Sequence, residues 1–413
     1  YEIAQCLVGS EMCIRDRPGR PSFLEYNMIH AYKLGGYNII IDQNSGCVHA
    51  VDPVAYDIIC RYESESRDQI KQFILEKYAG ESDVTPAEVD ECFDDIETLK
   101  AEGRLFAEDT FQSMAEGFKA RQGVLKALCL HVAHDCNLAC KYCFAGKGEY
   151  SGEKQIMSFE TGKRAIDFLI ENSRGRHNLE VDFFGGEPLL NWDVCKKLVA
   201  YGRSLEKKYD KNFRFTLTTN GVLLNDEVID FCNKEMGNIV LSLDGRKEVH
   251  DRMRITRGGK GSYDAVVPKF QNAVQKRGAL EYYMRGTYTH FNTDFSKDIL
   301  HMADLGFKEI SIEPVVCDPS EPYALLESDL PALKEQYEIL AFEMLKRRRA
   351  GKGFTFYHYM IDLDRGPCIV KRISGCGVGT EYLAVTPTGD LYPCHQFVGD
   401  ENFLAGNVYD GIT

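Results

Sequence analysis

The sequence predicts an α/β protein centred on a partial (β/α)6 TIM-like barrel, with a small strand-and-helix module before it and a cysteine-bearing extension after it. Apolar, β-rich segments alternate with helical patterns six times between residues 128 and 348, the signature of parallel strands joined by crossover helices. Distinctive polar motifs follow the predicted strands, and a barrel of this kind places its chemistry at strand C-terminal ends. Upstream of about residue 110 the pattern changes to two short alternating strands and three helices. The expected divisions are 1–27, 28–110, 111–350 and 351–413.

Residues 1–27 have no hydrophobic period, and Ser10-Glu11-Met12-Cys13-Ile14-Arg15-Asp16-Arg17 resembles a translated sequencing adapter. This segment is expected to be non-native, with Met28 as the true start and no functional weight on Cys6 or Cys13. The next module is expected to hold strands at 37–41 and 46–51 and helices at 54–61, 68–78 and 85–103. Thr85-Pro86-Ala87-Glu88 opens the last helix as a cap with Pro at the first helical position. Such a module is winged-helix-like. Glu91, Asp94, Asp95 and Glu97 make its longest helix acidic, so peptide binding by strand addition is the alternative to DNA binding, and a plain docking domain remains open. Barrel strands are expected at 128–132, 180–184, 214–218, 238–243, 283–289 and 309–315. Helices are expected at 159–173, 193–208, 226–234, 263–277, 295–305 and 330–348. Lys346-Arg347-Arg348-Arg349 closes the last one, where cations suit the helix dipole. Segments 382–386 and 390–392 read as a hairpin across Pro387 and Gly389 that would bring Cys376 and Cys394 together.

After the first barrel strand come Cys136, Cys140 and Cys143, in His134-Asp135-Cys136-Asn137-Leu138-Ala139-Cys140-Lys141-Tyr142-Cys143-Phe144. Gaps of three and two residues suit an iron–sulfur cluster with one iron left without a protein ligand. Zinc would need a fourth soft ligand, and the nearest extra thiol, Cys129, lies inside the predicted strand. The next strand ends carry Gly185-Gly186-Glu187-Pro188, Thr218-Thr219-Asn220-Gly221 and Ser242-Leu243-Asp244-Gly245. The glycines would let backbone approach a ligand, and Glu187 could accept from an ammonium. Arg254 and Arg285 are candidate partners for a carboxylate, with their facing undecided. Fifteen Cys in 413 residues without a disulfide framework point to a reducing, cytoplasmic setting. A net charge of -14 argues against nucleic acid as main partner, and no apolar run reaches membrane-spanning length.

The Cys-x3-Cys-x2-Cys loop with Tyr142 before its third Cys resembles the radical S-adenosylmethionine (SAM) superfamily. That resemblance implies a 4Fe-4S cluster on Cys136, Cys140 and Cys143 whose open iron binds the SAM amino and carboxylate groups. It also implies SAM cleavage to a 5'-deoxyadenosyl radical that removes a hydrogen atom from substrate. Tyr142, Gly185, Gly186, Glu187, Asn220, Ser242, Asp244, Arg254 and Arg285 are then expected around SAM, with Glu187 of the Gly-Gly-Glu motif holding the amino group.

Cys376, twelve residues, Gly389, four residues and Cys394 resemble the start of the SPASM extension, which holds auxiliary 4Fe-4S clusters, with Cys368 a possible further ligand. The remaining cysteines of that pattern would lie beyond Thr413, so the extension is expected to be truncated. Met28-Ile29-His30, Gly36-Tyr37-Asn38-Ile39, Asn44-Ser45-Gly46 and Tyr382-Leu383-Ala384-Val385-Thr386-Pro387 resemble the maturases of Cys-rich SCIFF peptides. This implies Cys-sulfur to α-carbon thioether formation in a precursor peptide held through its leader by residues 28–110. The electron donor would be a ferredoxin or flavodoxin. Carbon–carbon crosslinking, oxidation of Ser or Cys to formylglycine, and a non-enzymatic electron-transfer role are the rival expectations.

Overall fold

The computed structural model describes residues 29–110, 123–150, 152, 154–360 and 376–412. The expected adapter segment, Met28 and Cys368 lie outside the described residues. The described chain falls into two compact units, 29–110 with Met360, and 123–359 with 376–412.

In the smaller unit β1 (Ile29–Leu34), β2 (Tyr37–Asp42) and β3 (Val48–Val51) form an antiparallel sheet in that order. The β1–β2 loop is Gly35-Gly36, both at positive φ, 57° and 83°, the geometry that matches strand twist in a two-residue hairpin. Three helices follow: α1 (Pro53–Arg61), α2 (Arg67–Lys77) and α3 (Pro86–Ala101). Asp52, Ser66 and Thr85 cap them, and Thr85 forms the expected reciprocal cap with Glu88. Ile40, Ile58, Ile70, Ile74, Val89 and Phe93 make the core of this unit.

The larger unit carries the six expected barrel strands: β4 (Ala127–His134), β6 (Asn178–Gly185), β7 (Asn212–Thr219), β8 (Asn238–Ser242), β9 (Tyr282–Tyr288) and β10 (Glu309–Pro314). A two-residue strand, β5 (Gln155–Ile156), pairs antiparallel with the end of β4. Each barrel strand pairs in parallel with the next. Crossovers run through α4 (Phe159–Asn172), α5 (Trp192–Tyr209), α6 (Asp226–Glu235), α7 (Lys247–Met253), α8 (Tyr263–Arg277) and α9 (Ser296–Asp304), and α10 (Leu330–Arg349) follows β10. The sheet is longer than the expected six. β11 (Thr355–Phe356) adds in parallel to β10, and β12 (Tyr382–Val385) adds in parallel to β4. The described strands after residue 350, expected as part of a separate extension, therefore join the main sheet, and Leu383 and Val385 bury into the same core as Leu128 and Leu130. β13 (Asp390–Tyr392) forms the expected hairpin with β12, and β14 (Gly406–Asn407) and β15 (Gly411–Ile412) extend it. Among the described residues no helix is long and apolar enough to cross a membrane.

Strand alternation separates two faces. Leu128, Val181, Phe215, Ile239, Met284 and Ile312 join the helix-covered core. Cys129 packs on the opposite, inner face with Ala145, Tyr150, Ala384 and Tyr392. The alternation puts Arg285, Thr287, Ser311 and Glu313 on that inner face.

Candidate functional site

The three-cysteine loop leaves β4 and is fastened at many points. Asp135 accepts from the Cys136 N–H (2.8 Å) and pairs with Lys154 and Arg257, each at 2.8 Å. Arg257 Nε also donates to the Cys136 carbonyl at 2.7 Å. Further along, the Ala139 and Lys141 N–H groups donate to the Ile255 and Met253 carbonyls (2.7 and 2.9 Å), and Leu138 bridges to Thr256. The loop is thereby held as an added edge on the segment after α7. An open cavity of about 570 Å³ lies against Cys140 and Cys143, bordered by Lys141, Lys147 and Arg257.

The thiols fit a cationic cluster. Burial pushes Cys136 up to about 12, with Glu187 the next cause, and Cys140 up to about 11, although Arg254 pulls the latter down. Ionising them therefore calls for compensating positive charge, which iron supplies. Two N–H donors already face Cys136 Sγ, from Leu138 backbone at 3.4 Å and Asn220 Nδ2 at 3.5 Å, the kind of contact that tunes cluster thiolates. Asn137 Nδ2 is buried here without an acceptor among the described residues.

The Gly-Gly-Glu turn serves the protein first. A Cβ on Gly186 would sit 2.1 Å from the Asp135 carbonyl oxygen, and one on Gly185 2.4 Å from that of Ala133. The glycines were expected to admit a ligand; they admit the end of β4, sealed by Gly186 N–H to Ala133 O (2.8 Å) and Glu187 N–H to Asp135 O (2.9 Å). Glu187 is 0% exposed and accepts from Thr219 Oγ1 (2.7 Å), Leu189 N–H (3.1 Å) and Asn220 N–H (2.8 Å). Three of its roughly four acceptor positions are thus filled from within the chain, leaving one on Oε2 for an outside donor.

Burial raises the Glu187 carboxyl to about 7 despite those donors. Between its ordinary 4.5 and about 7 the folded protein keeps a proton that the unfolded chain has lost. The group's contribution to stability is therefore fully present below pH 4.5 and lost as pH rises through about 7, a change of about 3 kcal/mol. Trp192, the only tryptophan, sits in α5 and reports the larger unit. Urea unfolding followed by its fluorescence should find the stability of wild type relative to Glu187→Gln falling by about 2.5 kcal/mol from pH 5 to pH 8. A gap that widens toward alkaline pH would mean that the carboxylate is favoured instead.

Asp244, also 0% exposed, is the second hub. It accepts from Tyr142 Oη (2.6 Å), Arg254 Nε (3.0 Å) and Thr287 N–H (3.1 Å). The Arg254 guanidinium lies 5.5 Å from the Tyr142 ring centroid. Arg254 thus turns into the site, but its Nε is committed to a carboxylate of this chain. Asp244 likewise anchors Tyr142 and Arg254. Asn220 spends its side chain on the loop, with Nδ2 to Asn137 Oδ1 at 2.7 Å and Oδ1 accepting from Val222 N–H at 3.0 Å. Ser242 stands beside Arg285 in the β8–β9 register.

Sequence reasoning missed His250 and Ser262, which lock this hub. Burial lowers the His250 imidazole to about 4, so it is neutral at pH 7. The Asp244 N–H donates to its Nδ1 (3.4 Å), which leaves Nε2–H to donate to Ser262 Oγ (2.9 Å), and Ser262 O–H donates to the Arg254 carbonyl (2.7 Å). The His at helical spacing and the Ser at a helix start were visible, but nothing local paired them.

A second set of thiols meets the inner face. The hairpin brings Cys376 toward Cys394: the Gly379 N–H reaches the Pro393 carbonyl (3.3 Å), and Cys376 is among the causes that raise the Cys394 thiol, after burial. His395, also absent from the sequence reading, has Nδ1 3.6 Å from Cys394 Sγ and 3.4 Å from Tyr382 Oη. Its ring packs on Phe144 and Phe184. Burial raises the Tyr150 hydroxyl, with Cys129, Cys143, Cys136 and Cys394 adding to the effect, and its ring packs edge-on against Phe144 at 6.1 Å. Burial raises the Cys394 thiol and lowers the neighbouring His395; Arg285 opposes the first shift and adds to the second.

Comparison with known proteins agrees with this geometry. A model of the Radical SAM superfamily matches residues 130–305. An uncharacterised protein, MJ0907, of Methanocaldococcus jannaschii is 32% identical over 289 residues, 69% of this chain and 90% of that protein. The serine-type anaerobic sulfatase-maturating enzyme of Bacteroides thetaiotaomicron is 28% identical over 66% of this chain and 70% of its own. Among solved structures, Streptococcus suis SuiB bound to precursor peptide SuiA aligns over 91% of this chain and 83% of that one, with a TM-score of 0.54 at 14% identity. The cysteine loop, the strand-end motifs and these relatives make the chain a member of the radical SAM superfamily, enzymes that work with a 4Fe-4S cluster and S-adenosylmethionine.

Proposed function

We propose that the chain matures a ribosomally made, Cys-rich peptide by joining a peptide Cys sulfur to the α-carbon of an acceptor residue. In this reading Cys136, Cys140 and Cys143 hold the cluster. Tyr142, Gly185, Gly186, Glu187, Asn220, Ser242, Asp244, Arg254 and Arg285 surround SAM, with the remaining acceptor position of Glu187 taking its ammonium. Cys376 and Cys394, joined by Cys368, hold an auxiliary cluster. The winged-helix-like 28–110 module takes the peptide leader on a free edge of its sheet, and a ferredoxin or flavodoxin supplies electrons. Bound at the loop, the cluster and SAM supply a carbon-centred radical that takes a hydrogen atom from the substrate.

The observation that carries this reading is the second thiol set beside the first: His395, next to Cys394, packs on Phe144, next to Cys143, with ring centroids 5.5 Å apart. A thioether needs a hydrogen-abstracting centre and a thiolate-accepting, electron-accepting centre close together. The resemblance in fold to a structure described as bound to a precursor peptide supports a peptide substrate. The sulfatase-maturating relative favours a second reading, oxidation of a Ser or Cys to an aldehyde.

The reconstituted protein, incubated with SAM, reductant and a Cys-rich peptide encoded beside its gene, should yield peptide lighter by two hydrogens per link, with one thiol per link no longer alkylatable. Hydrazine-reactive product would favour the aldehyde reading. Loss of two hydrogens with every thiol still alkylatable would mean carbon–carbon linkage.

A further inference from the structure

Glu313, on the inner face near the end of β10, belongs to a polar group that the site above does not use. Its Oε1 accepts from Ser311 Oγ at 2.7 Å, and its Oε2 lies 3.0 Å from His358 Nε2. His358 Nδ1 lies 3.0 Å from Tyr337 Oη, and the Tyr337 ring stacks on the imidazole at 24°. With Tyr337 O–H donating to Nδ1, the imidazole presents Nε2–H to the carboxylate, a directional chain that fixes where Glu313 points. Glu313 and His358 side chains are 12% and 7% exposed.

The position of Glu313 gives the group meaning. It sits opposite Thr287 in the β9–β10 register, and the Thr287 N–H holds Asp244, the anchor of Tyr142 and Arg254 beside the cysteine loop. On the same neighbouring strand, Arg285 stands opposite Ser311, the residue whose hydroxyl donates to Glu313. Glu313 therefore stands on the inner face one strand from the Asp244 hub. Burial pushes its carboxyl up, but His358, Ser311 and Arg285 more than offset this, so it is ionised and able to take a proton. Apolar side chains would clamp β10 to the 357–359 segment without burying a charge.

We propose that Glu313, oriented by His358 and Tyr337, accepts the proton released by the peptide thiol as the carbon–sulfur bond forms. The role rests on the thioether reading above. The acceptor C–H bond breaks, its hydrogen atom leaving to the SAM-derived carbon radical. The S–H bond breaks, its proton going to Glu313. The new C–S bond joins the carbon radical to the thiolate, and the surplus electron passes to an oxidised iron–sulfur cluster. Glu313 is the proton-accepting residue of this step, and His358 and Tyr337 are positioning residues.

The test compares wild type, Glu313→Gln, Glu313→Asp and His358→Gln. It reads 5'-deoxyadenosine formed per crosslink, and the affinity of a fluorescently labelled Cys-rich peptide for the cluster-free proteins. Glu313→Gln is expected to raise the ratio at least tenfold with peptide affinity unchanged, Glu313→Asp to recover part of the coupling, and His358→Gln to show a smaller rise. If Glu313→Gln does not fold, His358→Gln decides. Crosslinking as tightly coupled as wild type in a folded Glu313→Gln, or in His358→Gln when it decides, overturns the role alone. Wild type that cleaves SAM without crosslinking the peptide overturns the thioether reading and this role together.

Discussion

Cys140→Ala should give a folded protein that binds no cluster at its loop and does not cleave SAM. In the cluster-free chain burial raises the Cys140 thiol to about 11, so it is neutral near pH 7 and its removal strips no charge and few contacts. The loop itself is fastened by backbone bonds to Met253 and Ile255 and by Arg257, none of which involves the Cys140 sulfur. Structure should survive while the ligand set does not, because two thiolates cannot replace three around a cluster that already leaves one iron open. Iron and acid-labile sulfide should fall by about four each per chain relative to wild type. Cys195→Ala is the contrast: Cys195 is fully buried in the helix-covered core, so its loss should cost about 1 kcal/mol of stability and leave the iron unchanged. Equal iron loss in both variants would place the effect in folding rather than in ligation.

What could be read from the sequence followed from local pattern. The barrel strands were found to within two residues because each is a short apolar run bounded by turn chemistry, and the cysteine loop and strand-end motifs are contiguous in sequence. What could not be read depends on distance along the chain. Tyr142 and Asp244 meet across 102 residues, and Glu187 collects Thr219 and Asn220 from the next strand end. The parallel pairing of β12 with β4 joins segments some 250 positions apart, which no local period encodes. β1 was missed for a smaller reason. Ile29 to Leu34 alternates poorly, and Gly35-Gly36 was not read as a hairpin turn. The glycines of the Gly-Gly-Glu turn were noticed, but the backbone they accommodate belongs to β4, a fact available only once β4 and β6 lie side by side.

Asp244→Ala should be the most destabilising single change at the site, costing about 3–5 kcal/mol. The substitution leaves three groups without their acceptor: the Tyr142 hydroxyl, the Thr287 N–H and the Arg254 guanidinium, whose side chain is 12% exposed. The charge dominates, since a buried cation stripped of its carboxylate costs more than an unmade neutral hydrogen bond. Arg254→Met removes that cation and keeps an apolar stem, so the double variant should lose less than the sum of the two single losses, with a coupling of about 2 kcal/mol. Trp192 fluorescence in urea measures all three in the unit that contains the site. Simple additivity would mean that Asp244 and Arg254 are not energetically paired. The same release should reach the cysteine loop, because Tyr142 lies between Lys141, bound to the Met253 carbonyl, and Cys143. Iron retention on gel filtration should therefore fall in Asp244→Ala and recover little in the double variant, which restores charge balance without restoring the acceptor for Tyr142. Stability and cluster retention then part company, and that divergence separates the electrostatic work of Asp244 from its positioning of the loop.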